Sequence, residues 1–303
     1  IEFIDLFKND INKLKVSFFE AMTAMAIWYF KNENVDIAIL ETGLGGRLDS
    51  VSICNPKIIV ITRISFDHQH ILGNTIEQIA LEKAGAIKSN SICVSYPQLS
   101  KVKKVLEEKV KKTNSKIKYI SKKNNYVNLK GQHQALNATL AIEAIKHLKD
   151  FKTTTKNIQL GIKNVIWPGR IQKIFNEPTV YFDVAHNEES FLMLCRFIQN
   201  LKIKGSKVLM ICLQQNKDLG EAASKIIDLF DDIIITETGV RNFMQVKELH
   251  NLLNCEHVHI LKDPNQAAKY IKNLKKNDCG VIAGSHYLGP TITNEFKISF
   301  DNI

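Results

Sequence analysis

The sequence predicts an α/β protein in two domains, each built around a mostly parallel sheet. Three observations carry this. The chain has 303 residues, 45% of them hydrophobic, which is enough for more than one core. Short, β-branched apolar runs alternate with helix-period segments along most of its length. In the second half the alternation becomes regular, with strands expected at 178–183, 206–212, 232–236, 257–261 and 279–283 and helices at 188–201, 219–230, 244–254 and 264–275. Repeated βα units of this length imply parallel strands with helices on both faces.

In the first half, Phe18, Phe19, Met22, Met25, Ala26, Tyr29 and Phe30 fall at helical spacing within 16–32. Val35–Leu40 is apolar except for Asp36 and reads as a strand buried on both faces. "KIIVIT" at 57–62 reads as a second. A helix over 74–87, a strand at 91–95, a basic helix, two weak strands at 116–120 and 125–129 and a helix over 132–148 follow. The polar stretch that ends in Trp167-Pro168-Gly169 breaks the pattern and sets the expected domain boundary, giving domains 1–165 and 166–303.

The net charge of +10 raises the question of a nucleic-acid or membrane surface. Only Arg47, Arg63, Arg170, Arg196 and Arg241 are arginines, and the lysines are scattered. The densest run, "KVKKVLEEKVKK", holds Glu107 and Glu108 and no aromatic residue, so it reads as a solvated helix face. No nucleic-acid or membrane partner is expected. The six cysteines show no CxxC spacing and sit mostly in apolar runs, which suits a reducing, cytoplasmic setting. The longest apolar helix contains Glu20 and is too short to span a bilayer.

Candidate chemistry gathers where strands are expected to end. "ETGLGGRLDS" has three glycines after a strand-like run, yet Gly46 is followed by Arg47, Leu48 and Asp49. Neither GxxxxGK[ST] nor GxGxxG is satisfied here or elsewhere, so the loop is not a phosphate cradle of either kind. Glu41, at the end of that run, is either a ligand for a hard cation or a solvated strand end. Asp67, His68 and His70 follow the second run and read either as metal donors or as plain surface. Lys83 shares a helix face with Ile76, Ile79 and Ala80. It either snorkels to solvent or is desolvated and held neutral for chemistry. In the second domain, Asp183 ends a strand and His186-Asn187 open a helix, whose N-terminus favours anions. Arg170 sits at the expected hinge, within reach of a phosphate in the cleft between domains.

Taken in order, "FFEAMTA", "ILETGLGGRLD", "DHQHILGNTIEQIALEKAGAIK", "LKGQHQALN", "WPGR", "DVAHN", "NKD" and "AGSHYL" resemble the folylpolyglutamate synthase and dihydrofolate synthase family of Mur-type ligases over nearly the whole chain. The resemblance implies a Mur-ligase-like central ATPase domain followed by a Rossmann-like C-terminal α/β domain. It implies ATP-dependent addition of L-glutamate to dihydropteroate or tetrahydrofolate through an acyl phosphate, with Mg²⁺ and basic groups offsetting the developing charge. Carried over by position, Glu41 and His68 are Mg²⁺ ligands. Lys83 is the carbamylated lysine, an anion that meets a second Mg²⁺. Asn137, Arg170 and Asp183 contact ATP, and His186 lies near the phosphates. Ser17, Phe18, Phe19, Glu20, Leu48, Asp49 and Ser50 line the pterin pocket. The family also suggests a monomer.

The sequence departs from the family in three places. "GGRLDSVS" stands for a usual "GGRLDATN", and "GSHYLGP" for a "GS-YL-GE" pattern. The family's Gly-Lys-Ser or Gly-Lys-Thr phosphate loop lies upstream of the region that matches Ile1. With a first residue that is not methionine, the expectation is an N-terminally truncated piece that does not turn over ATP alone. Its first sheet would lack a central strand and leave an exposed edge. The rival readings are a cell-wall or poly-amino-acid Mur-type ligase, a dinucleotide-binding oxidoreductase module, which the missing GxGxxG opposes, and a binding remnant without chemistry.

Overall fold

The computed structural model describes residues 1–121, 127–240 and 242–301. The chain packs as two compact units, Ile1–Lys122 with Thr139–Lys152, and Lys123–Ala138 with Thr153–Ile303. Of the described residues before the expected boundary, 127–138 and 153–165 group with the second unit.

The first unit opens with α1 (Glu2–Leu14) and α2 (Phe18–Asn32). Its sheet has three parallel strands in the order β1 (Ile58–Ile61), β2 (Ile92–Ser95), β3 (Lys116–Tyr119). Between β1 and β2 run the short α3 (Gln69–Leu72) and α4 (Ile76–Ala84), and α5 (Ser100–Lys112) links β2 to β3. A Thr75/Gln78 capping box starts α4, satisfying two backbone donors that the helix itself cannot pair. Ile59, Ile61, Ile79, Ala80, Cys93, Val102 and Leu106 form the core. The basic helix α5 buries Val102, Leu106 and Val110 and leaves its lysines on the solvent face, as its sequence pattern requires. α6 (Gln132–Ile145) divides between the units at residue 138.

The strand expected at Val35–Leu40 does not form. Val35, Ile37 and Ile39 are exposed, Ile39 to 89%, and the segment is irregular. Apart from Asp36 its composition suits a strand, but a strand exists only when neighbours take up its backbone N–H and C=O groups. No described strand lies beside it. Glu41 therefore does not end a strand. The weak strand expected at 125–129 lies partly outside the described residues, and 127–129 are not in a strand.

The second unit begins with α7 (Thr155–Asn164), capped by a Thr154/Asn157 box. Its six-stranded sheet has the order β4 (Gln172–Phe175), β5 (Thr179–Asp183), β9 (Cys279–Ala283), β6 (Lys207–Ile211), β7 (Asp232–Ile235), β8 (Val258–Ile260). All neighbours are parallel except β4, which pairs antiparallel with β5 at the edge. The helices are α8 (Glu188–Gln199), α9 (Ala222–Leu229), α10 (Val246–Leu252), α11 (Pro264–Lys272) and α12 (Gly289–Phe296). Two cores cover the two sheet faces. One is built on Phe191, Leu194, Leu209, Ile211, Ile233 and Val281, the other on Phe182, Met210, Ile234, Ala268, Ile271 and Ile282. Adjacent residues along a strand supply opposite faces, which is why these strands read as unbroken apolar runs.

Candidate functional site

Two groups of the predicted residues come together, one in each unit. In the first unit the glycine loop is the organiser. A Cβ at Gly43 would meet the Phe19 ring, so the loop lies directly against the start of α2. Asp49 folds the loop on itself: Oδ2 accepts from the Leu44 N–H at 2.8 Å and Oδ1 from the Val51 N–H at 3.1 Å. Both its oxygens serve the loop, whereas Leu48 beside it is 80% exposed. Ser50 begins a 3-10 turn over Ser50–Ile53 that Asp49 caps. At the start of α2, Ser17 and Glu20 form a capping box, with the Ser17 N–H 2.7 Å from Glu20 Oε2 and the Glu20 N–H 3.2 Å from Ser17 Oγ. The Ser17 hydroxyl and backbone amide together hold the Glu20 carboxyl below its ordinary range. Phe18 is left 82% exposed. The residues expected around a pterin thus divide by task. Asp49, Ser17 and Glu20 set backbone shape, while Phe18 and Leu48 present apolar surface.

The loop also reaches Lys83. Arg47 donates its N–H to the Glu82 carbonyl at 2.8 Å, and a Cβ at Gly46 would meet the Lys83 carbonyl. Lys83 is partly buried, on the turn of α4 that the loop touches. His68 lies in a left-handed conformation, φ +49°, and donates its N–H to Asp67 Oδ1 at 2.9 Å. Its imidazole lies 6.2 Å from that of His70, ring centre to ring centre. Glu41 is exposed. No group of three or more His, Cys, Asp or Glu side chains is placed to hold a metal ion among the described residues.

In the second unit the site is the carboxyl edge of β5 and its surroundings. Asp183, the last residue of β5, is buried. Its Oδ2 accepts from the Ile171 N–H and its Oδ1 from the Ala185 N–H, both at 2.7 Å. Burial pushes its carboxyl up to about 6, against the pull of both amides and of Arg170. Arg170 is exposed and close enough to be felt by both Asp183 and His133. Burial first, and Arg170 second, hold the His133 imidazole below its ordinary range, with Glu189 opposing. Three residues past β5, His186 is fixed by its own turn: Nδ1 lies 3.0 Å from the Val184 carbonyl and its N–H donates to Ser190 Oγ at 3.1 Å. That contact places the proton on Nδ1 and leaves Nε2 as the acceptor of the neutral ring. Asn187 caps α8 in a box with Ser190. Asn137 donates to Gln134 Oε1 at 3.0 Å on α6.

The nearness of His133, within "LKGQHQALN", to Arg170 is not legible in the sequence. The two lie far apart in sequence, and only the fold brings them within electrostatic reach. A groove of about 730 Å³ lined by Ser206, Val208, Asp232, Lys269, Tyr270 and Asp278 opens at the amino-terminal edge of the same sheet, opposite these groups. Parallel sheets bind ligands beyond their carboxyl ends, so the Asp183 edge is the candidate site.

Residues 169–286 match the family model described as Mur ligase, glutamate ligase domain. Beyond that domain, a probable dihydrofolate synthetase of Schizosaccharomyces pombe is 30% identical over 311 residues, spanning 91% of this chain and 75% of that protein. The dihydrofolate synthase/folylpolyglutamate synthase of Buchnera aphidicola subsp. Acyrthosiphon pisum is 32% identical over 311 residues, spanning 94% and 74%. The Mycobacterium tuberculosis folylpolyglutamate synthase complexed with ADP and AMPPCP superposes with a TM-score of 0.84 at 24% identity, over 94% of this chain and 74% of that one. The chain belongs to the dihydrofolate synthase/folylpolyglutamate synthase family.

Proposed function

We propose that this chain is a ligase that uses ATP to join L-glutamate to dihydropteroate, tetrahydrofolate or both. The observation that carries the reading is family membership over nine-tenths of the chain, from a relative at 30% identity. The residues at the two sites are of the kinds the chemistry needs. Arg170 and Asn137 suit a nucleotide, with Arg170 offsetting phosphate charge. His186, with Nε2 as acceptor, suits the proton released when the glutamate amine attacks the acyl phosphate. Phe18 and Leu48 suit a flat pterin ring.

Mg²⁺ fits this donor set in one way. An ion that arrives with a nucleotide keeps water and phosphate oxygens in its shell and needs only one or two protein donors. Glu41 and His68 are such donors, and the ion would neutralise phosphate charge. Lys83, partly buried beside the glycine loop, is the residue we assign to carbamylation, with a second Mg²⁺ as its partner. A cytoplasmic, monomeric protein without nucleic-acid or membrane partners completes the proposal. All six cysteines are free, four of them buried, and among the described residues no helix is long and apolar enough to cross a membrane.

The 303 residues contain no GxxxxGK[ST] loop. Phosphoryl transfer in such enzymes depends on that loop's amides and lysine, so these residues alone are expected to bind ligands without turnover. Calorimetry with dihydropteroate and with a UDP-linked peptide, alongside an ADP-release assay, tests both points. Binding of the pterin alone supports the folate reading, and preference for the UDP-peptide overturns it. Substrate-dependent ADP release overturns the expectation of no turnover.

A further inference from the structure

The ladder between β1 and β2 ends at Ile61, whose carbonyl accepts from the Tyr96 N–H at 3.0 Å. Past that bond neither chain is in a strand, and one side chain continues the pairing. The Gln98 amide donates to the Thr62 carbonyl at 2.8 Å, and its Oε1 accepts from the Ile64 N–H at 3.1 Å. These are the carbonyl before and the N–H after Arg63, the two groups that a parallel neighbour strand takes. The amide also donates to Ser95 Oγ at 3.1 Å, and that hydroxyl donates to the Tyr96 carbonyl at 3.0 Å. Ser95 is the last residue of β2 and is fully buried. Turning the Gln98 amide over would set N–H against the Ile64 N–H and oxygen against the Thr62 carbonyl, so its partners fix its orientation.

The loop held in this way runs straight to the candidate metal donor. Ile64 is 3% exposed and packs in the core of the first unit, and His68 follows four residues later in its left-handed conformation. Without the Gln98 bridge the backbone between Ile61 and Ile64 would lose the rung that replaces a neighbouring strand. His68 would then hang on a longer free segment. From this geometry we infer that Gln98 is a positioning residue: it extends the rigid end of β1 as far as Ile64 and so sets where His68 presents its imidazole to Mg²⁺. The inference rests on the proposed metal role of His68 and adds to it a side chain on a different strand connection.

Calorimetry of ADP binding to the whole chain, with and without Mn²⁺ in place of Mg²⁺, tests this. The readout is the factor by which Mn²⁺ strengthens ADP, because a general loss of structure or of nucleotide contacts weakens metal-free ADP as well. His68→Ala is expected to lower that factor about tenfold. Gln98→Met is close in size and lacks all three hydrogen bonds. It is expected to lower the factor about threefold and to bind metal-free ADP like the parent. The double variant should fall no further than His68→Ala. Ser95→Ala, which removes one of the bonds from a small side chain, serves if Gln98→Met does not fold, with a loss of about twofold. A parental factor in the Gln98 or Ser95 variant, or losses that multiply in the double variant, overturns the positioning task and leaves the metal role of His68 standing. Weakened metal-free ADP in Gln98→Met also overturns it. If His68→Ala keeps the parental factor, or Mn²⁺ does not strengthen ADP in the parent, the metal role of His68 fails and the task of Gln98 falls with it.

Discussion

Arg47 and Glu82 are joined twice, through side chains and through backbone. The Arg47 Nε lies 3.0 Å from Glu82 Oε1 and 3.2 Å from Oε2, Nη2 lies 2.9 Å from Oε1, and the Arg47 N–H reaches the Glu82 carbonyl at 2.8 Å. Arg47 belongs to the glycine loop and Glu82 precedes Lys83, so the position of the loop and that of Lys83 are fixed together. The arginine side chain is 56% exposed, which limits the ion pair to about 0.5–1 kcal/mol.

Arg47→Lys tests whether charge or shape holds this contact. Lysine keeps the charge but lacks the planar fork that meets two carboxylate oxygens. Arg47→Lys and Arg47→Ala are both expected to lose under about 1 kcal/mol in urea unfolding. Both should speed amide exchange over residues 44–50. A lysine variant with parental exchange would show that charge alone is sufficient.

Where the same loop meets α4, backbone packing dominates. A Cβ at Gly85 would run into the Cα and Cβ of Arg47. Gly85→Ala is therefore expected to cost more than about 2 kcal/mol, because the obstacle is backbone and cannot rotate aside. Gly161 in α7 has nothing within 4 Å of the same position, and Gly161→Ala should stabilise by about 0.5–1 kcal/mol. Urea midpoints of the two variants should move in opposite directions. Equal movement would refute the contact argument.

Asp183 makes stability depend on pH. Its carboxyl is raised from 3.8 to about 6, so the native state holds the proton more tightly than the unfolded chain does. The stabilisation from that proton is fully present below about 4 and is lost as pH rises through about 6. The size is about 3 kcal/mol, from roughly 1.4 kcal/mol per unit. Other carboxylates, such as Glu143 beside Lys118, are held low and act in the opposite sense. The difference between parent and Asp183→Asn isolates the effect. The variant's stability relative to the parent should rise between pH 4.5 and pH 7. A constant difference over that range would mean that the carboxyl is not raised.

Much of the second unit was legible because its strands are buried on both faces. Runs such as "VLMI" and "DIII" have no other stable use in a chain of this polarity, and β5, β6, β7 and β9 lie within one residue of their expected ends. The antiparallel β4 was not legible, since "QKIF" shows no two-sided apolar pattern and is held as an edge only by β5. Val35–Leu40 failed for the converse reason, having the right composition and no described partner. At the candidate site, residue types were legible and partners were not. Nothing local to Asp183 indicates that its carboxylate accepts from the Ile171 N–H, twelve positions away, or that His133 would feel Arg170. Long-range pairing is a property of the fold.

The first sheet leaves a specific liability. Among the described residues β1 has a strand on one side only, and Val60 on it is 46% exposed between the buried Ile59 and Ile61. Ile37 and Ile39 add apolar surface in the same unit. An unpaired edge with exposed β-branched residues templates pairing with other chains, and a lysine on such an edge is the usual remedy. Val60→Lys removes apolar surface without touching the core, so its stability should stay within about 0.5 kcal/mol of the parent. Light scattering that rises with protein concentration in the parent should be reduced in Val60→Lys and further reduced with Ile39→Lys. Parental samples that stay monodisperse at the highest soluble concentration would show that this edge does not attract strands.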